Sequence, residues 1–220
     1  MAKFVPSYTG TLRSHTLMLP SCISDCSGIR IFGRRIKSLA YSTDVAIIKN
    51  INADAIFAVY PFTPQTSIAQ AIISISDVPV FVGVGGGITT GQRAVHLAVQ
   101  AEHEGAYGVV LNAPTSNEIV THVKNEIDIP VIVTVTSAKE DIAARLRAGA
   151  DILNVAGGKE TAQIVAAIRQ EFPEVAIIAT GGPDDDSIRE TIQAGANAIT
   201  YAPPSSGQLF NTLMEKYRDK

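Results

Sequence analysis

Eight short runs of β-branched and other apolar residues recur along this chain, and their order limits its fold more than any other feature. They read IKSLAYS, DAIFAVY, PVFVGVGG, YGVVLN, PVIVTVT, DILNVA, AIIATGG and AITYA. Each is strand-like in length and composition, and each is followed by a segment of helical period. In TTGQRAVHLAVQAEHEG, Ala94, Leu97, Ala98 and Ala101 fall on one helical stripe. KEDIAARLRAG stops on Gly149, and DDDSIRETIQAG opens with acids and stops on Gly195, which are helix stop and start signals. Strands alternating with helices predict a parallel sheet of βα units.

The same units repeat. NADAIFAV, GAYGVVLN, GADILNVA and GANAITYA resemble one another, starting at Asn52, Gly105, Gly149 and Gly195. Between them DVPVFVGVGGG, DIPVIVTVTS and EVAIIATGGP form a second related set. The period is two βα units, a quarter of an eightfold ring. An open doubly wound sheet gives its last unit no reason to match its second. The expected fold is therefore α/β, a single (β/α)8 TIM barrel over residues 36–220, with residues 1–35 as an N-terminal extension. A chain of 220 residues suits one such domain. Within the extension, SGIRIFGR reads as a small strand with a turn at Gly33. It would cover the barrel bottom or pack on a neighbouring subunit, and the sequence leaves both open.

Composition excludes several function classes. Hydrophobic residues make up 46% and charged residues 18%, so the chain can bury a core and is not of the disordered type. The net charge of −3 argues against a nucleic-acid partner. Arg13, Arg30, Arg34 and Arg35 gather in the extension, as a solvated arm, a subunit contact or an anion-facing lid. No apolar run reaches the roughly 18 residues of a membrane span, so no membrane partner is expected. MAKFVPSYTGTLRSHT has neither the apolar core nor the cleavage pattern of a signal peptide, which points to the cytoplasm. Cys22 and Cys26 have only His15 and Asp25 near them in sequence, too few for a metal site, and none is expected. A homo-oligomer fits the base rate for such proteins.

Barrel chemistry sits at the C-terminal ends of the strands. Alternation turns Ile132, Thr134 and Thr136 inward and gives Val131, Val133 and Val135 to the helix layer. Ile152 and Asn154 face inward likewise, as do Asn112 and Thr200. The upper lumen is thus polar but uncharged, either hydrogen-bonded filling or a pocket that orients a polar substrate. His96, His103 and His122 fall within helices. Candidate catalytic residues are Asn112, Thr134 and Asn154 for orientation, and Asp44, Tyr60 and Lys159 for proton transfer. Arg13 or His15 could reach in from the arm. Asp184–Asp186 reads as a helix-start charge run.

The glycine turns point to an anion. T-G-G-P and P-P-S-S-G follow the seventh and eighth runs, where this fold usually holds phosphate. Gly181, Gly182, Ser205, Ser206 and Gly207 are the candidate phosphate-binding residues, with Gly157 and Gly158 as further donors. Gly85, Gly86 and Gly87 lie across the barrel and would let a ring or a neighbouring loop approach.

The stretch FPEVAIIATGG…IRETIQAGANAITY, with AGADILNV before it, resembles the C-terminal half of phosphate-binding (β/α)8 barrels. That group includes the ribulose-phosphate-binding, keto-deoxy-phosphogluconate aldolase, nitronate monooxygenase and inosine-monophosphate dehydrogenase types. The likeness covers roughly residues 105–207 as layout and only short motifs as sequence. PSYTGTLRSHT and FGRRIKS also resemble a family of small bacterial barrels described as hydrolases, without a settled mechanism. The aldolase type carries a Schiff-base lysine in G-A-D-x-x-K, but GADILN puts Asn154 there, and an amide forms no Schiff base. The resemblance implies an isomerase, lyase or hydrolase acting on a small phosphorylated or carboxylated metabolite, without a cofactor. Two alternatives stay open: a non-catalytic sensor of such a metabolite, and a flavin-dependent oxidoreductase.

Overall fold

The computed structural model describes residues 4–8, 10–11 and 16–218. Arg13 and His15 lie outside the described residues. The first strands form a hairpin of β1 (Ile29–Ile31) and β2 (Arg34–Ile36), paired antiparallel. Phe32 and Gly33 join its strands, both at positive φ, as a two-residue hairpin turn requires.

The eight runs then form β3 (Ser38–Tyr41), β4 (Ala55–Ala58), β5 (Val80–Gly85), β6 (Gly108–Leu111), β7 (Val131–Val135), β8 (Ile152–Val155), β9 (Ala176–Thr180) and β10 (Ala198–Tyr201). Each pairs in parallel with the next, and β10 closes on β3 to complete a barrel. The helices are α1 (Val45–Lys49), α2 (Thr66–Ile75), α3 (Gln92–His103), α4 (Asn117–Glu126), α5 (Ile142–Arg147), α6 (Thr161–Glu171), α7 (Asp185–Gln193) and α8 (Ser206–Arg218). This is the α/β TIM barrel that the repeat implies. Among the described residues no helix is long and apolar enough to cross a membrane.

The barrel core has two layers, divided by strand alternation. Val131, Val133, Val135, Leu153 and Val155 pack outward under the helices. Leu39, Phe57, Phe81, Val110, Ile132, Ile152 and Ile178 fill the lumen. The quarter repeat has a physical reason at the barrel bottom. Asp54, Asp151 and Asn197 stand just before β4, β8 and β10. Each accepts an amide at the start of the preceding strand, from the first residue in two cases and the second in the last: Ser38 N at 3.1 Å, Val131 N at 2.9 Å and Ile177 N at 2.9 Å. The A-D or A-N step of the motif is therefore a staple between paired strands.

The N-terminal segment works at the same end. Ile31 and Ile36 are buried with the lumen residues, so the hairpin plugs the barrel bottom. Phe32 meets the Tyr107 ring edge-on at 5.3 Å. Upstream, the 3-10 turn Ser21–Asp25 packs against α7, with Cys22, Ile23 and Cys26 buried. Leu17 bridges Ile51 after α1, and Ser27 bonds Asn197 before β10. The extension thus runs over the outside of the β10–β3 seam before turning under the barrel.

Candidate functional site

At the C-terminal face three lumen residues on consecutive strands join in one hydrogen-bonded chain. Asn154 Nδ2 donates to Thr134 Oγ1 at 3.1 Å, and Thr134 Oγ1 donates to Asn112 Oδ1 at 3.3 Å. Thr134 and Asn154 are buried; Asn112 is half-buried. Asn154 and Thr134 face inward because Leu153, Val155, Val133 and Val135 are drawn under the helices. The chain is directional: Thr134 spends its one proton on Asn112, which leaves the Asn112 amide NH2 free to donate elsewhere. Thr200, also inward, is buried with no hydrogen-bond partner for Oγ1 among the described residues.

Asn112 opens onto a cavity of about 440 Å³ above β4, β5 and β6. Residues 59–64 and 85–89 make its walls, with Gly83 and Ala113. Tyr60 Oη accepts the Gln65 amide at 2.8 Å, which fixes the ring beside the start of α2. Tyr60 is the one ionisable residue in this lining. Gly86 is required here. It sits at φ +115, and a Cβ would overlap the Asn112 carbonyl. The glycine run therefore admits a neighbouring loop, one of the two roles expected for it. The register of β5 against β6 also slips between Gly83 and Gly85, an irregularity typical of barrel rims.

The anion candidates are arranged differently. Gly181 N–H donates to the Thr200 carbonyl at 3.2 Å, and Gly181 packs against Ile188 and Ile199. Gly182 is at φ +82 and leads into Asp184, which caps α7 in a capping box with Ser187. Those hydrogen bonds hold the Asp184 carboxyl below its usual range. With Asp185 and Asp186 in the first turn, the α7 N-terminus already carries negative charge. Ser205 forms a reciprocal cap with Gln208, its amide donating to Oε1 at 2.8 Å. Gly207 is exposed in the first turn of α8. Gly157 N–H donates to Thr161 Oγ1 at 3.1 Å, and Gly158 is at φ +61. Lys159 is exposed between them and α6, with no ion pair among the described residues.

Asp44 and Ser206 come together across 162 residues. Ser206 Oγ donates to Asp44 Oδ2 at 2.5 Å, while Asp44 Oδ1 accepts Ala46 N and Ile47 N as the cap of α1. The Ser206 hydrogen bond, more than the α1 amides, pulls the Asp44 carboxyl below its ordinary range. A carboxylate of the chain itself therefore stands at the α8 N-terminus, the position expected for a phosphate.

No protein-family model and no curated protein matches the sequence. Solved structures do match. A 2,3-dimethylmalate lyase, described as a PEP mutase/isocitrate lyase superfamily member, superposes with a TM-score of 0.67 at 14% identity, over 90% of this chain and 81% of that one. By fold, the chain is similar to that superfamily's barrels. A protein described as a phosphonomutase, from Burkholderia cenocepacia J2315, gives 0.65 at 16% identity, covering 83% of this chain and 93% of its own. A phosphonopyruvate hydrolase in complex with oxalate and Mg++ gives 0.64 at 13%, covering 84% and 83%. Such identities establish the barrel alone. The names these neighbours carry, phosphonomutase, phosphonopyruvate hydrolase and 2,3-dimethylmalate lyase, differ from the ribulose-phosphate-binding and aldolase types that the C-terminal motif resembled. Among the described residues no group of three His, Cys, Asp or Glu side chains could hold a metal ion.

Three further residues around the site were not legible in the sequence. Arg145 donates to Thr115 O at 2.6 Å and Asn117 Oδ1 at 2.9 Å, and pairs with Glu140 at 3.2 Å. It thereby holds the loop that follows Asn112. Glu104 accepts Gln100 Nε2 with one oxygen; its other oxygen is buried without a partner among the described residues, in an apolar gap shared with Tyr60. What places them at the site are contacts between units, Arg145 with Thr115 and Asn117 and Glu104 beside Tyr60, which no local motif marks.

Proposed function

We propose that this protein is an enzyme of lyase, isomerase or hydrolase type acting on a small phosphorylated or carboxylated metabolite at the C-terminal face of the barrel. The observation that carries this reading is the Asn154–Thr134–Asn112 chain ending at a cavity. Buried amides and hydroxyls are costly to align unless they orient something polar. The cavity size falls within the range of small-molecule sites. The neighbours of known activity support the same class of chemistry.

In this reading Asn112 Nδ2 binds a substrate oxygen, and Thr134 and Asn154 hold its amide plane. Tyr60 is the group that exchanges a proton: its oxygen already accepts the Gln65 amide, so its own proton is available to donate. The anionic end of the substrate is drawn to the Gly157–Gly158 turn and Lys159 rather than to α7, where three acids repel it. Use of the α8 N-terminus, with Ser205, Ser206 and Gly207, requires the anion to displace Asp44. The flavin alternative meets the same obstacle, because its phosphate would need that terminus.

A panel of small phosphorylated and carboxylated metabolites tests this by binding and turnover. For a metabolite that turns over, Tyr60→Phe should lower kcat by about 100-fold or more with little change in binding. Thr134→Val should raise KM, and Lys159→Ala should raise it for the most highly charged members. Unchanged kcat in Tyr60→Phe would remove Tyr60 from the mechanism. A second reading, a non-catalytic sensor, is favoured by the single ionisable residue in the cavity lining. Binding without turnover for every ligand that shifts the melting temperature would select it.

A further inference from the structure

The cavity that Asn112 opens onto carries no full charge. Among the described residues no Lys, Arg, His, Asp or Glu lines it. Its glycine loop resembles an anion nest, but the two amides that would serve one are engaged. Gly86 N–H donates to Thr89 O at 2.9 Å, and Gly87 N–H donates to Pro114 O at 3.2 Å. Pro61 and Pro64, in the 59–64 wall, have no N–H to offer. An anion would leave water for a site with neither a cation nor a free amide of the glycine run to receive it, which is strongly unfavourable. The polar groups that do line the cavity are selective in another way. Asn112 Oδ1 accepts Thr134 Oγ1, and Tyr60 Oη accepts the Gln65 amide. What each has left is a donor, the Asn112 NH2 and the Tyr60 hydroxyl proton. The matching ligand group accepts hydrogen bonds and is uncharged, as a ketone, lactone or lactam carbonyl is.

The remaining walls suit a flat apolar frame. Phe62 and Ile88 line the same cavity and are 75% and 91% exposed, so their apolar surface is uncovered. Gly87 stands at φ +60 with nothing within 4 Å of the place a Cβ would take, which leaves bare peptide there. Gly86 thus admits a neighbouring loop, and Gly87 leaves room for a ring, the second role expected of the run. A cavity of about 150 Å³ holds a benzene ring, so this one, of about 440 Å³, has room for two fused rings. We infer that the cavity takes an uncharged planar ring bearing a carbonyl, with the carbonyl oxygen on Asn112 Nδ2 and the ring against Phe62 and the glycine peptides. The inference rests on the reading of this face as the substrate site, and it narrows the substrate class. The phosphate or carboxylate of the metabolite sits on a substituent outside the cavity, and the ring carbonyl is the end that lies beside Tyr60.

The test titrates three probes into the full chain at pH 7, by calorimetry or ligand-observed NMR. They are coumarin, an uncharged two-ring lactone; 2-naphthoate, a two-ring carboxylate of similar size; and inorganic phosphate. Coumarin should bind in the millimolar range or tighter, 2-naphthoate at least about 10-fold more weakly, and phosphate should not displace coumarin. Phe62→Ala should weaken coumarin about 2- to 10-fold, the worth of one aromatic contact, and Tyr60→Phe by a similar factor for one neutral hydrogen bond. Ile88→Lys, which supplies a cation at an exposed position, should reverse the order of coumarin and 2-naphthoate. Phe62 and Ile88 are exposed, so both variants should keep the circular dichroism spectrum of the wild type. The inference is overturned if coumarin does not bind, if 2-naphthoate binds the wild type as tightly, or if phosphate displaces coumarin. Coumarin binding that both Phe62→Ala and Tyr60→Phe leave unchanged overturns it too. The enzyme reading fails separately, when coumarin binds as expected but no metabolite turns over. Turnover of a metabolite by a protein that does not bind coumarin sinks only this inference.

Discussion

Asp44 shows how one residue can be drawn away from the role its position suggests. It follows β3 at the rim, where a general base would sit, but both carboxylate oxygens are engaged. One caps α1, and the other accepts Ser206 Oγ. Its folded pKa is depressed, first by the Ser206 bond, so its stabilising contribution is complete above the ordinary carboxyl range. That contribution is lost as pH falls through the folded value. Asp44→Ala should therefore cost about 1 kcal/mol at pH 7, the usual loss of a helix cap, with no larger allowance for an exposed pair. Urea unfolding at pH 7 and at a series of lower pH values checks this; the difference should begin to shrink as pH enters the ordinary carboxyl range near 4 and vanish only below the depressed folded value. A constant difference across that range would mean that the carboxylate charge is not what stabilises the contact. Lys159 is the converse case, an exposed cation that is still available to a ligand.

Among the elements, the N-terminal hairpin is the piece whose role the sequence left open. Its two strands are too short to be stable by themselves, and Ile31 and Ile36 anchor them in the lumen. Ile36→Ala should destabilise the whole barrel by about 2–5 kcal/mol, through lost burial and the cavity left at its base. Chemical denaturation reads this directly. A loss under about 0.5 kcal/mol, typical of surface substitutions, would show that the hairpin is a detachable cover. The strand staples were visible in part. The motif positions Asp54, Asp151 and Asn197 stand out in the sequence as a repeat, but their partners are the starts of the preceding strands, which only pairing reveals. Tyr107 holds the fourth equivalent position and serves instead as the ring beneath Phe32.

At the scale of the molecule, the extension contributes to both layers of the barrel core, Cys22, Ile23 and Cys26 to the outer one and Ile31 and Ile36 to the lumen. Cys22 and Cys26 are buried there, and burial pushes the Cys26 thiol up to about 11. Both thiols should react with an aromatic disulfide reagent at least about 100-fold more slowly in native buffer than in denaturant, since the thiolate is the reacting form and neither sulfur is accessible. Denaturant-dependent labelling should follow the same curve as global unfolding. Rapid labelling in native buffer would instead reveal that the Ser21–Asp25 turn opens by itself and uncovers the β10–β3 seam.

Sequence by itself determined the barrel, the inward and outward faces of its strands, and the polar, uncharged character of its upper lumen. These follow from period-two alternation and from a repeat whose unit is local, so each is written in neighbouring residues. Asn112, Thr134 and Asn154 could be placed on one face for that reason. Only the tertiary structure decided that they bond in a chain ending at a cavity above β4 to β6, away from the glycine turns after β9 and β10. It also decided that Asp44 occupies the start of α8 and that α8 buries none of its residues. Those outcomes depend on which distant segments meet when β10 closes on β3. A rule based on spacing cannot express that, because the contact between Asp44 and Ser206 exists only once the ring is closed.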